Sequence, residues 1–271
     1  SDMNIRVGGS KTLARPEFRE LAPFLFPQYT IGLSMAGNPT LQSTSIWNAD
    51  LRWEWFPSAN EVVAAGLFYK YFDDPIELVM LNQGAQGLMT YNNAEFAHNI
   101  GAEVELRKNL EFLAPERAGA SEDARERRKN VRRALADLSV GVNAAYIHSV
   151  VELGVACVDE ATREECLAMG GSLDASTSRS RPLMDQSPFV INSFISYDNE
   201  RSGTRARLLY HTFGRRVHAV GIAGLPDVYM EPLHRLDLVA SQRVSAWTAT
   251  FHSTEASRPS TGITSTARPS R

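Results

Sequence analysis

The sequence predicts an all-β protein, a sector of about eight or nine strands from an antiparallel transmembrane β-barrel with long extracellular loops. Three observations support this fold class. Apolar and polar side chains alternate along several segments, and the connections between those segments alternate between short and long. No segment approaches the roughly 18 to 20 consecutive apolar residues of a membrane helix.

The segment WNADLRWEWF, residues 47–56, shows the alternation most clearly. Successive side chains of a strand point to opposite faces of the sheet. The predicted apolar face carries Trp47, Leu51, Trp53 and Trp55. The predicted polar face carries Asn48, Asp50, Arg52 and Glu54. In a soluble sandwich the apolar face would lie in a core, whereas in a membrane barrel it would meet lipid and the polar face would line the lumen.

The same alternation recurs in residues 99–110, 137–146, 203–216 and 234–244. On a barrel, the lipid-facing residues of these segments would be Val104, Leu106, Val140, Val142, Leu208, Tyr210, Leu236 and Leu238. The lumen-facing residues would be Glu103, Glu105, Arg107, Arg205, Arg207, Arg235 and Asp237. Charged residues thus follow one face of the sheet along most of the chain.

The connections between the predicted strands differ in length in a regular way. Short links join residues 56–61, 197–204 and 242–246. Long links rich in Gly, Pro, Ser and Asn cover residues 15–45, 73–97, 152–187 and 215–233. Outer-membrane barrels have short periplasmic turns and long extracellular loops, whereas sandwiches show no such alternation. The link lengths therefore favour the membrane barrel.

One link breaks this pattern, because residues 114–137 are long but lie where a short turn is expected. This link is basic, with Arg125, Arg127, Arg128, Lys129, Arg132 and Arg133. A nucleic-acid patch is one interpretation, but interleaved acidic residues favour a solvated helix, and we assign the segment no function.

The chain contains two cysteines, Cys157 and Cys166, whose spacing suits a local disulfide in an oxidising compartment, the alternative being two free thiols. The histidines lack metal-binding spacing, and no nucleophile elbow or phosphate-binding loop is present. Asp73 and Asp74 precede a proline, which favours a turn over an acid pair. The sequence therefore predicts no enzyme, no cofactor, no metal site and no nucleic-acid partner.

Several stretches, taken in order, resemble the late barrel strands of TonB-dependent outer-membrane receptors. They are LARPEFRELAPF, GNPTL, LRWEWFPSANEVVAAGLFYKYFDDPIE, GAEVELRKNLEFL, RPLMDQSPFVINSFISYD, LLYHTFGRRV, GLPDVYMEP and RLDLVASQR. The resemblance implies a barrel of about 22 strands whose lumen holds a plug. It also implies localisation in the cell outer membrane and contact with its lipid. The implied function is uptake of a ferric siderophore, cobalamin or an oligosaccharide, energised by the TonB complex through the plug.

Two other classes stay open at this stage, a soluble β-rich binding module and a small porin-like barrel. A soluble module would hide its aromatic faces from water, whereas a barrel exposes a continuous belt of them. Ligand contact in a receptor would fall on loops held by a rigid scaffold. We expect it in Leu21–Thr44, Pro75–Asn93, Val158–Arg181 and His218–Pro232.

The two ends of the chain suggest a piece of a longer receptor, without its plug or its closing strand. Residues 1–251 are expected to form the partial barrel, and residues 252–271 a disordered tail rich in Ser, Thr, Pro and Arg. Codons for residues 255–259, shifted by one base, can encode Lys-Leu-Leu-Asp, which resembles the family's C-terminal segment. We therefore expect the tail to be an out-of-frame reading, a hypothesis that the underlying DNA tests.

Overall fold

The computed structural model describes residues 2–28, 33–58, 60–81, 88–115, 122–154, 178–220, 226–244 and 247–257. The long strands of the main sheet are β1 (Asp2–Ala14), β4 (Thr44–Phe56), β5 (Val62–Asp73), β8 (Phe96–Asn109), β9 (Leu138–Glu152), β11 (Phe189–Asn199), β12 (Thr204–Phe213), β15 (His234–Val244) and β16 (Trp247–Ser257). They follow one another in that order, each antiparallel to the next, and β10 (Ser180–Arg181) pairs with the end of β9. The predicted antiparallel sector is confirmed.

Short elements occupy the connections. They are α1 (Phe18–Leu21), β2 (Leu25–Gln28), β3 (Leu33–Ala36), β6 (Ile76–Leu81), β7 (Leu88–Asn93), a 3₁₀ turn (Leu110–Leu113), α2 (Glu122–Ala136), β13 (Arg216–Ala219) and β14 (Val228–Met230). Strands β2, β3, β7 and β6 form a second sheet, and β13 and β14 form a hairpin. Helix α2 lies within the basic link, where the sequence predicted a solvated helix, and its side chains are mostly exposed.

The strand registers divide the side chains of the main sheet between two faces. Arg52 pairs with Gly66, which pairs with Glu103, so these three residues share one face. Leu51, Leu67 and Ala102 are linked in the same way on the other face. Followed across the sheet, the registers place every predicted lumen residue on the first face, here called the polar face. All predicted lipid-facing residues lie on the opposite, apolar face.

The two edges of the main sheet carry different connections. The turn edge has the short links 57–61, 200–203 and 245–246, together with the 3₁₀ turn and α2. The four longer connections, 15–43, 74–95, 153–188 and 214–233, start and end at the loop edge. The described parts of these four connections are here called the loop layer. The predicted alternation of short and long links is thus present, with the basic link as its exception on the turn edge.

The end of β16 differs from our prediction that strand character stops at Phe251. Residues 252–257 continue the strand and pair with β15 as far as Ser257 opposite His234. We expected disorder because residues rich in Ser, Thr, Pro and Arg cannot pack into a buried sheet. A strand added at the edge of a sheet needs only backbone N–H and C=O groups to pair with, and β15 offers these along its whole length. Residues 258–271 lie outside the described part, and the out-of-frame origin of the tail stays a prediction.

Among the described residues, no helix has the length and apolar character needed to cross a membrane.

Candidate functional site

The loop layer brings together segments from all four long connections. Strand β3 of the first connection runs parallel to β7 of the second, with Met35 opposite Met89. The Asn38 side chain donates to the Tyr91 carbonyl oxygen at 3.0 Å. The third connection meets the fourth where the Asp185 N–H donates to the Val217 carbonyl oxygen at 2.9 Å. Loops distant in sequence are therefore joined in one layer.

A small hydrophobic core holds this layer. Met35, Leu78, Met89, Val217 and Val220 are buried against one another, and they come from three of the four connections. A second cluster contains Val79, Ala94, Ala97, Val151 and Leu153, and it packs the layer onto the ends of β8 and β9. Apolar side chains buried in this way stabilise the layer as in a soluble domain.

A buried ion pair lies between the second and third connections. Arg181 Nη1 is 2.8 Å from Glu77 Oε2, and the side chains are only 2% and 5% exposed. Arg181 also donates to the Leu78 and Pro182 carbonyl oxygens, and the Met184 N–H donates to Glu77. Burial raises the pKa of the Glu77 carboxyl, while Arg181 and the Met184 N–H favour its charged form. The sequence did not predict this pair, because nothing local connects the two residues.

A cavity of about 340 Å³ lies beside this pair, and several arginines are among the residues that line it. Its lining includes Arg181, Arg215, Arg216 and His148. Arg215 lies over the ring of Tyr229, 4.1 Å from its centroid. The guanidinium of Arg215 is 3.1 Å from Glu231, and that of Arg216 is 3.5 Å from Asp185. The arginines can attract an anionic group, although each already has an acidic neighbour.

The polar face of the sheet carries an ion-pair ladder that crosses strands. Glu54 lies 2.9 Å from Arg6 and 2.8 Å from Arg52, and Arg52 reaches Glu105 at 2.7 Å. Strand β5 lies between β4 and β8, and it presents only the small residues Ala64 and Gly66 here. Because these residues are small, the Arg52 side chain passes over them, and Ala64 is 0% exposed.

Aromatic rings cover glycines on the same face. The Phe68 ring lies over Gly101, where an added Cβ would be 2.3 Å from the ring. Phe194 covers Gly141 in the same way, with a Cβ-to-ring distance of 2.2 Å. Both pairs are directly opposite on neighbouring strands. A Phe and a Gly on neighbouring predicted strands are the signal that could have suggested these contacts from sequence, but the register that pairs them came only from the structure.

The family profile "TonB dependent receptor-like, beta-barrel" matches residues 1–252. The chain belongs to this family. No curated protein matches the TonB-dependent receptor chain.

Three solved structures illustrate the likeness. The copper transporter OprC is 12% identical with a TM-score of 0.53, over 91% of the receptor chain and 30% of the transporter. The siderophore receptor PirA from Acinetobacter baumannii is 13% identical with a TM-score of 0.50, over 90% of the receptor chain and 33% of PirA. The ferric enterobactin receptor PfeA from Pseudomonas aeruginosa is 14% identical with a TM-score of 0.48, over 90% of the receptor chain and 31% of PfeA. The first two support the barrel fold, and the receptor chain spans about a third of these proteins' length.

The predicted ligand-contact segments of the receptor chain fall partly in the described loop layer. Leu21–Thr44 and Pro75–Asn93 meet through β3 and β7, and the end of Val158–Arg181 reaches the buried ion pair. His218–Pro232 contributes Val220 to the core. Cys157 and Cys166 lie outside the described residues, so their disulfide stays a prediction. Among the described residues, no group of three His, Cys, Asp or Glu side chains could hold a metal ion.

Proposed function

We propose that the receptor chain is part of an outer-membrane transporter that captures a scarce nutrient at its loop layer. Import would be energised by the TonB complex acting through a plug in the lumen. The observation that carries the proposal is the combination of an exposed apolar face, a charged polar face and one packed loop layer at the loop edge. The ligand classes in view are a ferric siderophore, cobalamin and an oligosaccharide.

Exposed apolar side chains support contact with lipid. Leu67, near the middle of β5, is 60% exposed, and Ile5, Ile100 and Ile195 are exposed on other strands of the same face. A soluble protein of this size rarely exposes so large an apolar surface. In a bilayer the same surface is favourable, and the main strands, of 10 to 15 residues, are long enough for the about 9 to 11 residues needed to cross it.

Aromatic residues near both edges agree with this orientation. Trp47 and Tyr146 are exposed on the apolar face towards the loop edge, and Trp55 lies near the turn edge. Trp and Tyr are enriched at both interfaces between a membrane and water. The loop edge would then be extracellular and the turn edge periplasmic.

The loop layer supports ligand capture because it has a core of its own and is packed on the ends of β8 and β9. The core and the buried ion pair fix the described parts of the four connections relative to one another. Binding residues concentrate on loops that a rigid scaffold positions in this way. We place ligand contact in Leu21–Thr44, Pro75–Asn93, Val158–Arg181 and His218–Pro232.

The test uses the full-length receptor that contains this chain, expressed in a host without its own siderophore and cobalamin receptors. Cells are offered iron-labelled siderophores of several chemical classes, labelled cobalamin and labelled oligosaccharides. We expect saturable uptake of one class, with uptake lost when TonB is deleted. Deleting the central residues of any one proposed loop should abolish ligand binding while leaving the receptor folded in the outer membrane.

A matched deletion within α2, on the opposite edge, should leave ligand binding unchanged. Unaltered uptake after deletion of all four loops would refute the binding proposal. Recovery of the receptor in the soluble fraction, or uptake that persists without TonB, would refute the transporter assignment and favour a soluble module or a porin-like barrel.

A further inference from the structure

The long connection at the turn edge, which contains the 3₁₀ turn and α2, is fixed to the end of the sheet. Asn109, at the end of β8, accepts a hydrogen bond from the Glu111 N–H at 2.7 Å and so caps the 3₁₀ turn. The Asn109 amide also donates to the Ala136 carbonyl oxygen at the end of α2. The Arg132 guanidinium is 2.6 Å from the Glu111 carboxylate, which joins α2 to the 3₁₀ turn. These contacts hold the two elements side by side.

The 3₁₀ turn extends the apolar face of the sheet. Phe112 and Leu113 are 60% and 58% exposed. Lys108 is opposite Val140 in the register and therefore lies on the apolar face. The Lys108 ammonium is 5.2 Å from the centroid of the Phe112 ring. The exposed apolar surface thus continues past the last residues of β8 onto the 3₁₀ turn.

Helix α2 places positive charge next to these apolar side chains. It contains six basic and three acidic residues, a net charge of +3. Arg128 donates to the Pro115 carbonyl oxygen at 2.7 Å, and Arg132 pairs with the 3₁₀ turn, so one side of α2 faces that turn. Arg125 is three residues before Arg128 and therefore lies on the same side, with Lys129 beside it.

The acidic residues of α2 lie mostly on its other side. Asn130 lines a cavity of about 780 Å³ between α2 and the polar face. Asp123 and Glu126 precede Asn130 by seven and four residues, so they share its side of the helix. Within the described residues, the exposed side chains of Arg125 and Lys129 form no ion pair. Their positive charge is therefore available to a partner outside the chain.

We propose that these two elements form a binding site for anionic phospholipid headgroups in the periplasmic leaflet of the outer membrane. The proposal rests on the membrane location and orientation proposed above. The site, here called the interfacial patch, consists of Phe112, Leu113, Arg125, Arg128 and Lys129. Segments that lie in a membrane interface insert Phe and Leu at the boundary of headgroups and acyl chains, while Lys and Arg attract anionic lipids.

The position of the interfacial patch argues for lipid as the occupant. Trp55 is exposed on the apolar face near the turn edge, and tryptophan is enriched where acyl chains give way to headgroups. The interfacial patch begins where β8 ends, at this same edge, so it is continuous with the surface that would meet acyl chains. Phosphates of the adjoining headgroups complement its charge, and guanidinium groups bind phosphate through paired hydrogen bonds.

The test places a photo-crosslinking amino acid at position 113 of the full-length receptor in liposomes. The liposomes contain phosphatidylethanolamine with a minor share of phosphatidylglycerol, and mass spectrometry identifies the lipid adducts. We expect phosphatidylglycerol at least about threefold above its share in the bilayer. A crosslinker at position 67, in the middle of the apolar face, reports general contact with lipid and should show the two lipids in their bilayer proportions.

Charge variants decide whether the basic residues select the lipid. Arg125→Gln with Lys129→Gln should return the adducts at position 113 to the bilayer proportions, because two charges that attract phosphate are lost. Arg125→Lys keeps the charge and should retain the enrichment. Arg133→Gln with Arg201→Gln is the matched control, since it removes two charges that line the cavity on the other side of α2, and it should leave the enrichment unchanged.

The two crosslinker positions separate this proposal from the membrane location on which it rests. Lipid adducts at position 67 with none at position 113 would overturn the interfacial patch and leave the membrane location standing. Cross-links from position 113 to protein, adducts there without enrichment of phosphatidylglycerol, or enrichment that survives the glutamine pair would also overturn it. Absence of lipid adducts at both positions would refute the membrane location, and the interfacial patch with it.

Discussion

The main sheet, here called the wall, and the loop layer of this chain bury their side chains in opposite ways. In the loop layer, apolar residues such as Met89 and Val217 are enclosed and charged residues mostly lie outside. In the wall, apolar residues such as Leu67 and Val104 are exposed, and Ala64 is buried beneath charged neighbours. The loop layer follows the rule for proteins in water, and the wall follows the rule for a barrel with lipid outside and polar groups within.

This difference also concerns ion pairs. The loop-layer pair of Glu77 and Arg181 is nearly inaccessible, so removing one partner leaves a buried charge. Wall pairs such as Arg235 and Asp237 remain partly exposed on the polar face. Breaking an ion pair should therefore lower the free energy of unfolding more in the loop layer than in the wall.

The largest expected effect comes from breaking the buried pair. Arg181→Met in the full-length receptor should destabilise the loop layer by about 3–5 kcal/mol, because Glu77 loses its buried counter-charge. Hydrogen exchange of the β6 and β7 amides measures the loss. Arg235→Met is the matched control and should cost at most about 1 kcal/mol. Equal effects of the two variants would contradict the distinction between the regions.

A charge on the apolar face tests the wall. Leu67→Arg should destabilise the receptor in lipid bilayers by about 2–4 kcal/mol, the cost of an arginine near the midplane of a barrel. Asp50→Arg on the polar face of the neighbouring strand is the control and should cost much less. Unfolding by denaturant in liposomes measures both. If Leu67→Arg has no effect, the apolar face does not meet lipid.

A smaller effect is expected where an aromatic ring covers a glycine. Gly101→Ala should cost about 1–3 kcal/mol, because the new Cβ would lie 2.3 Å from Phe68 and 2.6 Å from the Tyr146 carbonyl oxygen. At Gly8 the nearest atom to an added Cβ is 3.9 Å away, so Gly8→Ala should be nearly neutral. Unfolding by denaturant in liposomes compares the two variants. Equal free energies of unfolding for Gly101→Ala and Gly8→Ala would show that the wall adapts to the extra carbon.

The smallest expected effect is a pH dependence confined to the loop layer. Because burial raises the pKa of Glu77 in the folded state, that state holds the proton more tightly than the unfolded chain. The stability contribution is therefore complete below the unfolded pKa and declines as pH rises through the folded pKa. Amides of β6 should exchange more readily at pH 7 than at pH 4.5, after correction for intrinsic rates. In Glu77→Gln this difference should vanish, and its persistence would assign it to another group.

Much of the wall could be predicted from the sequence because the evidence for it is local. The alternation in residues 47–56 has a period of two, so it assigns Trp53 and Arg52 to opposite faces without knowledge of any partner strand. The lengths of the links likewise separate the two edges. The strand at the end of the chain was misjudged because pairing beyond Phe251 depends on the free edge of β15, which lies outside the segment itself.

The sequence by itself determined the fold class, the two faces of the sheet and the edge on which the long loops lie. Only the tertiary structure decided that Glu77 meets Arg181, that Met35 packs against Met89, and that α2 forms a cavity with the polar face. The physical reason is periodicity. A strand repeats its exposure every two residues, whereas loops have no repeat, so their contacts depend on which segments the folded sheet brings to the same edge.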